Sequence, residues 1–380
     1  MTGLLGSLDL PIGQPLPRDL IDKSGRVLMT RGTIIESVEK QRDLVERGVS
    51  YSEHLSMPGG STPRAQTASK RFTEANPFER IADVADQLEE LCCGDEPVTG
   101  FDAKVNNLAS VISNTCDADA DAALASVVLT RHDSYAIKHQ VDVAILAAVV
   151  GLKLDLTQRD RLSILCAALT MNISMLEYQD WLHRQTSKLT EDETCVIQKH
   201  PLEAVTILAQ ARVKDILWLQ TVATHHENPD GTGYPRGALL GGSLPVGGQI
   251  LRTADMYTAR ISARAFNSAE SANATLADIM TMGRNQSLHQ GVTEAFIRAL
   301  GFFPPGCFVR LSCGEIGMVV RRGKTLNQPV VFSLVAATGT LLGVPVRRDT
   351  SIDRYSVTSL VPQKEVQVKI DIANLWGYGR

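Results

Sequence analysis

Between Val141 and Leu152 the chain reads VDVAILAAVVGL, apolar at nearly every position rather than along one stripe. A helix that is hydrophobic all round has to be enclosed by other elements. Val141, Ile145, Ala148, Val149 and Leu152 repeat within it at helical spacing. The neighbouring sequence supplies the enclosure. From Pro77 to about Leu300 apolar residues recur with the same period, as at Ile81, Val84, Ala85, Leu88 and Leu91. Thr190 followed by Glu193 predicts a capping box opening a helix that runs toward His200. The expected fold class is therefore mainly α, a bundle wrapped around one central helix.

The period changes on both sides of that bundle. Leu20-Ile21-Asp22 and Val27-Leu28-Met29 flank Lys23-Ser24-Gly25-Arg26, which predicts a hairpin. A helical stretch with Val38, Leu44 and Val45 follows and stops at Gly48. Residues 1–54 are thus a small N-terminal α+β unit. Residues 55–76 are rich in Ser, Thr, Pro and Gly, the composition of a linker. After Phe302-Phe303-Pro304-Pro305-Gly306 come short β-like runs at 308–311, 318–320 and 330–332, separated by turns at Cys313-Gly314 and Arg322-Gly323. The expected division is 1–54, a linker at 55–76, helices over 77–301, and a small C-terminal β-rich module over 302–380. A chain of 380 residues has room for this many parts.

Composition narrows the function classes. With 44% hydrophobic and 21% charged residues the chain reads as globular and soluble. A net charge of -4 gives no reason to expect nucleic acid as a partner. The seven cysteines are scattered, odd in number and without a CxxC pair, so reduced thiols and a cytoplasmic location are expected. The opening MTGLLGSLDLPIG has neither the basic region nor the apolar core of a signal peptide. The apolar stretch at Val143–Leu152 is short for a membrane span.

The histidines carry more information than the charge. Residues 224–236 read THHENPDGTGYPR, with two adjacent imidazoles leading into a glycine-rich turn. His139, His200, His225, His226 and Asp255 each fall in or beside a helix of the same bundle. Bundle cores build metal sites from inward side chains of several helices, and imidazole with carboxylate suits Zn, Fe or Mn. A lone histidine is more often a satisfied polar residue, and His54, His132, His183 and His289 are read that way. For the adjacent pair two readings stand: ligands of a metal, or histidines that satisfy one another and buried water.

Residues 225–235, HHENPDGTGYP, resemble the HHExxDGxGYP motif of the HD-GYP family. That family is a branch of the HD phosphohydrolases, and it hydrolyses the bacterial second messenger cyclic di-GMP. The similarity extends over roughly residues 125–300. Lys199-His200-Pro201 resembles the family's Arg-His-Pro. Thr253-Ala254-Asp255-Met256-Tyr257 is similar to its Val-Ala-Asp-Val-Phe, and Ser262-Ala263-Arg264-Ala265-Phe266 to its Ser-Asp-Arg-Pro-Tyr. His139 falls where the first ligand histidine is expected. The resemblance implies an HD-type helical bundle with metal ligands His139, His200, His225, His226 and Asp255. It also implies a ligand-binding set of Gly233, Tyr234, Pro235 and Arg264. Gly231 and Gly233 permit positive φ and Pro235 fixes the exit. Tyr234 is then presented for base stacking, and Arg264 for a fork to phosphate. Asn267 stands where a further basic residue is expected.

One stretch departs from the pattern. Where the family has Ala-Leu-Leu-His-Asp-Ile-Gly-Lys, this chain has Ala168-Leu169-Thr170-Met171-Asn172-Ile173-Ser174-Met175. Met171 replaces the histidine, Asn172 the aspartate and Met175 the lysine. The literal His132-Asp133 precedes His139, so it is not the expected pair; it is read as a surface or cap feature. A neutral Asn172 cannot bridge two metals as a carboxylate does. Met171 offers only a soft thioether, and Met175 brings no cation to a phosphate. The remaining imidazoles suit one metal ion, Fe, Mn or Zn, with an open position. The expected function is cyclic di-GMP-related signalling through ligand or partner binding with little or no hydrolysis. The alternatives are a phosphodiesterase working on a single metal, and a scaffold that meets a signalling protein through the Gly-Tyr-Pro loop.

Overall fold

The first of two compact units, residues 1–70, is built on a three-stranded antiparallel sheet. Leu20–Ile21 (β1) lies between Val27–Met29 (β2) and Ser50–Tyr51 (β3), with Leu20 opposite Met29 on one side and Tyr51 on the other. Helix Val38–Glu46 (α1) precedes β3, and Leu10, Leu16, Leu20, Ile35, Leu44 and Val49 form the core of the unit. The expected hairpin is present as the β1–β2 pair. The computed structural model describes residues 10, 16, 20–21, 27–29, 33, 35, 37–46 and 49–51 of this unit. Of the second unit, residues 71–380, it describes 76–94, 98–185, 187–237, 244–264, 271–366, 368 and 370–379. The hairpin turn, Gly48, the stretch at 55–75 and His54 lie outside the described residues.

Among the described residues of the second unit, ten helices precede the sheet: Pro77–Cys92 (α2), Phe101–Leu129 (α3), Tyr135–Lys153 (α4), Gln158–Thr170 (α5), Leu176–Arg184 (α6), Glu191–Gln210 (α7), Ile216–Thr224 (α8), Val246–Arg264 (α9), Ser271–Arg284 (α10) and Gln290–Leu300 (α11). Local chemistry starts them where the sequence predicts. Asn76 accepts from the Phe78 N–H ahead of Pro77, and Ser134 caps α4 through the Ile137 N–H. Thr190 and Glu193 exchange both bonds of the predicted capping box. Helix α4 is the central one, with Val141 and Val143 through Val150 all buried. At 19 residues it is longer than its purely apolar stretch, and by length and composition alone it could cross a membrane. It is buried inside the bundle instead, as the core helix of a globular fold would be.

Two close approaches bring the histidine-bearing segments together. A Cβ at Gly247 would lie 2.3 Å from the Thr221 hydroxyl oxygen, and one at Gly248 2.3 Å from that of Thr224. The start of α9 thus packs directly on the end of α8, and it carries Asp255, two turns on, toward His225. The Trp218 indole donates to Thr170 at 2.8 Å, tying α8 to the end of α5.

The C-terminal module is an antiparallel sheet in the order β7-β6-β5-β4-β8, formed by Phe308–Leu311 (β4), Ile316–Arg321 (β5), Val330–Val335 (β6), Leu341–Asp349 (β7) and Val357–Val361 (β8), and followed by Ile372–Trp376 (α12). It packs on the bundle through Phe78, Ala122, Ala125, Phe308, Met318 and Trp376. Helix α3 breaks at Asp119 (φ −150°, ψ 82°), whose carboxylate accepts from the Ala122 N–H and so caps the renewed helix. The same carboxylate receives the Arg321 guanidinium from β5 and the Tyr378 hydroxyl, the latter at 2.9 Å.

Candidate metal and ligand site

The turn at the end of α8 places His225 and His226 against His200, which sits inside α7 ahead of Pro201. One ligating atom from each of the three lies within 4.8 Å of the others. His200 Nδ1 is 2.6 Å from the Ile197 carbonyl, and His225 Nδ1 is 2.6 Å from the Val222 carbonyl. A carbonyl only accepts, so in each ring the proton is on Nδ1. Each Nε2 therefore keeps its lone pair, and the two Nε2 atoms face one another at 3.1 Å. Burial lowers the pKa of His200 to about 3 and that of His225 to about 4, and the neighbouring His225 ring depresses His200 further. Both are neutral near pH 7. Two facing lone pairs repel unless a cation sits between them. The carbonyl-held tautomer is the arrangement that second-shell bonds impose on metal-ligating histidines. The residues present fit a transition metal ion.

A second pair adjoins the first. His139 Nε2 and Asp255 Oδ1 are 2.8 Å apart, and Asp255 Oδ2 lies 3.8 Å from His226 Nδ1. Burial alone would raise the Asp255 pKa. The bond from His139 and the surrounding imidazoles outweigh it and hold the carboxyl well below the usual range. The five residues expected as ligands thus form one contiguous chain of contacts, in two groups: three imidazoles with free nitrogen lone pairs, and a His139–Asp255 pair. His139 directs Nε2 at the carboxylate, and its buried Nδ1 has no hydrogen-bond partner among the described residues.

The segment that departs from the family pattern touches α4 at Gln140 and α7 at His200. Asn172 is buried, its Nδ2 donating to Gln179 Oε1 at 3.1 Å and its backbone N–H meeting Gln140 Oε1 at 3.4 Å. Asn172 Oδ1 and Gln140 Nε2 are buried without partners among the described residues. Met171 belongs to the apolar core of the bundle, while Met175 is half-buried at the start of α6. The Ser174 hydroxyl donates to the His200 carbonyl at 3.0 Å and anchors that turn to α7.

The loop after His226 is held by a residue to which the sequence reading gave no role. Glu227, buried, accepts from the Arg236 and Gly237 N–H groups at 2.7 and 2.9 Å and closes the loop on itself. A carboxylate next to a double histidine, followed by a two-glycine turn, was the available signal. Asn228 accepts from Arg252 at 2.9 Å, which joins the loop to α9. Gly231 takes a positive φ of 77°, as expected. Gly233 is needed for a different reason. Its φ is not positive, and a Cβ there would meet the Asn228 nitrogen at 2.4 Å and the His226 carbonyl oxygen at 2.5 Å. The Tyr234 ring stacks on His226, centroids 4.5 Å apart, so it covers the imidazole cluster rather than standing free. Pro235 follows on the same loop. The side chain of Arg264, and residues 265–270 with Asn267, lie outside what the structure describes.

The other histidines have ordinary occupations. His132 contacts Asp86 and Glu89 of α2 and accepts from the Ser134 N–H, while Asp133 is exposed. His183 stacks on Tyr135 at 3.7 Å, and His289 caps α11.

Residues 123–288 match the family model described as HD domain. The chain is 29% identical over 230 residues to "Cyclic di-GMP phosphodiesterase PA4108" of Pseudomonas aeruginosa, covering 60% of this chain and 55% of that protein. It is 27% identical over 187 residues to "Cyclic di-GMP phosphodiesterase PdeB" of Borreliella burgdorferi, covering 49% and 48%. The matched part thus spans about half the length of these curated relatives. A solved structure, "Bd1817, a HDG"Y"P protein from Bdellovibrio bacteriovorus", aligns with a TM-score of 0.49 and 13% identity over 77% of this chain and 97% of that one. The imidazoles and the loop they lead into lie within the matched residues, and it is this part of the chain that belongs with the HD-GYP branch of HD domain proteins.

Proposed function

We propose that this protein holds one transition metal ion, Fe, Mn or Zn, on His200, His225 and His226, and acts in cyclic di-GMP-related signalling with little or no hydrolysis. The observation that carries the reading is the pair of neutral imidazoles whose Nε2 lone pairs face each other at 3.1 Å, each fixed by a backbone carbonyl. When bound, such an ion supplies Lewis acidity and a water of lowered pKa. The chain's own residues do the rest. Asp255 orients His139 and sets negative charge beside His226. Tyr234 shields the cluster on the side of the loop. The reading of weak or absent turnover rests on Asn172. Its amide is neutral and engaged with Gln179, so no carboxylate stands there to bridge a second cation. Cyclic di-GMP is the candidate ligand because the curated relatives named above are phosphodiesterases for it.

The test measures metal per chain in protein purified without chelator, together with calorimetry and a turnover assay with cyclic di-GMP. One metal or less per chain, nucleotide binding and negligible turnover are expected. Steady hydrolysis would replace this reading with a phosphodiesterase on a reduced site. Neither metal nor nucleotide would leave a scaffold for a protein partner at the Gly-Tyr-Pro loop.

A further inference from the structure

Arg252 stands outside the motifs, on α9 one turn before Asp255. Its side chain is half-buried, and its Nε–H donates to Asn228 Oδ1 at 2.9 Å. Asn228 is held in turn. Its Nδ2 donates to the Thr232 hydroxyl at 3.0 Å, and that hydroxyl donates to Asp230 at 2.6 Å. The bond to Asn228 therefore ties the guanidinium to the loop that leads away from the imidazoles. The two Nη nitrogens donate to nothing among the described residues, and Arg252 forms no ion pair among them. The nearby carboxylates are turned to other groups: Asp255 to His139 and His226, and Glu227 to the Arg236 and Gly237 N–H groups. Arg161, Arg321, Arg322 and Arg348, by contrast, each face a carboxylate.

The Arg252 charge reaches the cluster. Burial is the main cause of the low pKa of His225 and His226, and Arg252 lowers both further; burial pushes Tyr234 up, and Arg252 opposes that push. A half-buried cation without a counter-ion costs the folded chain free energy. A planar fork with both outer nitrogens open matches two oxygens of one phosphate. We propose that Arg252 is a binding residue for a phosphate oxyanion at the imidazole cluster, supplied by the phosphodiester of a nucleotide or by free phosphate. Asn228 is its positioning residue. The inference rests on the reading of the cluster as a ligand site, and it adds the side chain that holds the anion there.

Calorimetry on the full chain with inorganic phosphate and, separately, with cyclic di-GMP tests the assignment, alongside elemental analysis of each variant. Arg252→Met keeps an unbranched stem and loses the fork. It is expected to weaken binding about tenfold or more, the size of a hydrogen bond to a charged group, and to flatten its salt dependence, with metal content kept. Arg252→Lys returns the charge without the fork and should recover part of the loss. Asn228→Asp keeps the acceptor and gives the guanidinium a counter-ion, so it should weaken binding about threefold or more. A merely structural Arg252 predicts no weakening there, because the tether is strengthened. If Arg252→Met does not fold by circular dichroism, the other two variants decide. Arg252-dependent binding of phosphate without binding of cyclic di-GMP would keep the anion site and reject the nucleotide reading. Binding of both ligands that the variants leave unchanged would overturn the assignment while the nucleotide reading stands. Loss of metal in Arg252→Met would make the residue a support of the imidazoles and overturn it too, as would parent protein that binds neither ligand.

Discussion

At Asn172 the side chain donates to Gln179 while its own oxygen, buried, accepts nothing among the described residues. Replacing it with Asp removes the donor and buries a charge, which costs about 1–3 kcal/mol when no cation compensates. Asn172→Asp is therefore expected to melt below the parent in chelator and to recover, or exceed it, when Mn is added. Equal melting with and without metal would mean that no cation reaches this position. Glu227 is the other residue whose exchange is informative. Among the described residues it is the acceptor for two loop N–H groups, and Glu227→Ala strands both. The expected loss is roughly 2–4 kcal/mol, with metal content on the three imidazoles largely kept. The predicted double readout is a lower denaturation midpoint and unchanged elemental analysis.

The element that decides the site is the segment from α8 through the loop into α9. It is tightly built: Gly233, Gly247 and Gly248 each sit where a methyl would collide with a neighbour. At Gly233 the colliding atoms are backbone and cannot rotate away. Gly233→Ala should destabilise by about 1–3 kcal/mol through this overlap and displace Tyr234 from His226. Loss of metal affinity in that variant would show that Tyr234 shields the cluster. If affinity holds, the stacking serves another purpose. The glycine pattern was readable from the sequence, and the reason was only half readable. A positive φ at Gly231 is a local property. Close approach at Gly233 depends on where His226 and Asn228 are carried by the fold.

For the whole second unit, the joint between helix α3 and the sheet is the feature with a pH signature. Burial tends to raise the Asp119 pKa, yet Arg321, the Ala122 N–H and the Tyr378 hydroxyl outweigh it and hold it below the usual value. A carboxyl depressed on folding contributes stability above its unfolded pKa of about 3.9. That contribution is lost as pH falls through the lower folded value. Asp119→Asn should therefore lower stability at neutral pH and make its decline below about pH 4 shallower than in the parent. Arg321→Met, which leaves the carboxylate without its main partner, should cost about 2–4 kcal/mol at neutral pH. Denaturant titrations of both variants at pH 7 and pH 3 check the pair, and parallel acid limbs would assign the acid sensitivity elsewhere.

Periodicity along the chain determined which stretches are helix and which are strand, because burying one face requires a repeat that the residues themselves display. It placed the enclosed helix at 141–152, the capping box at Thr190 and the change to strands after Gly306. The motif at 225–235 likewise determined the family, since a run of eleven residues with two histidines and two glycines is specific without any coordinates. What only the tertiary structure decided is which nitrogen of each histidine is free. That depends on the Ile197 and Val222 carbonyls and on burial, none of which the residue order specifies. It also decided that His139 turns to Asp255, 116 residues away, and that Arg252 is tied to the loop at Asn228. Such contacts are set by packing between distant segments, and a local pattern carries no record of them.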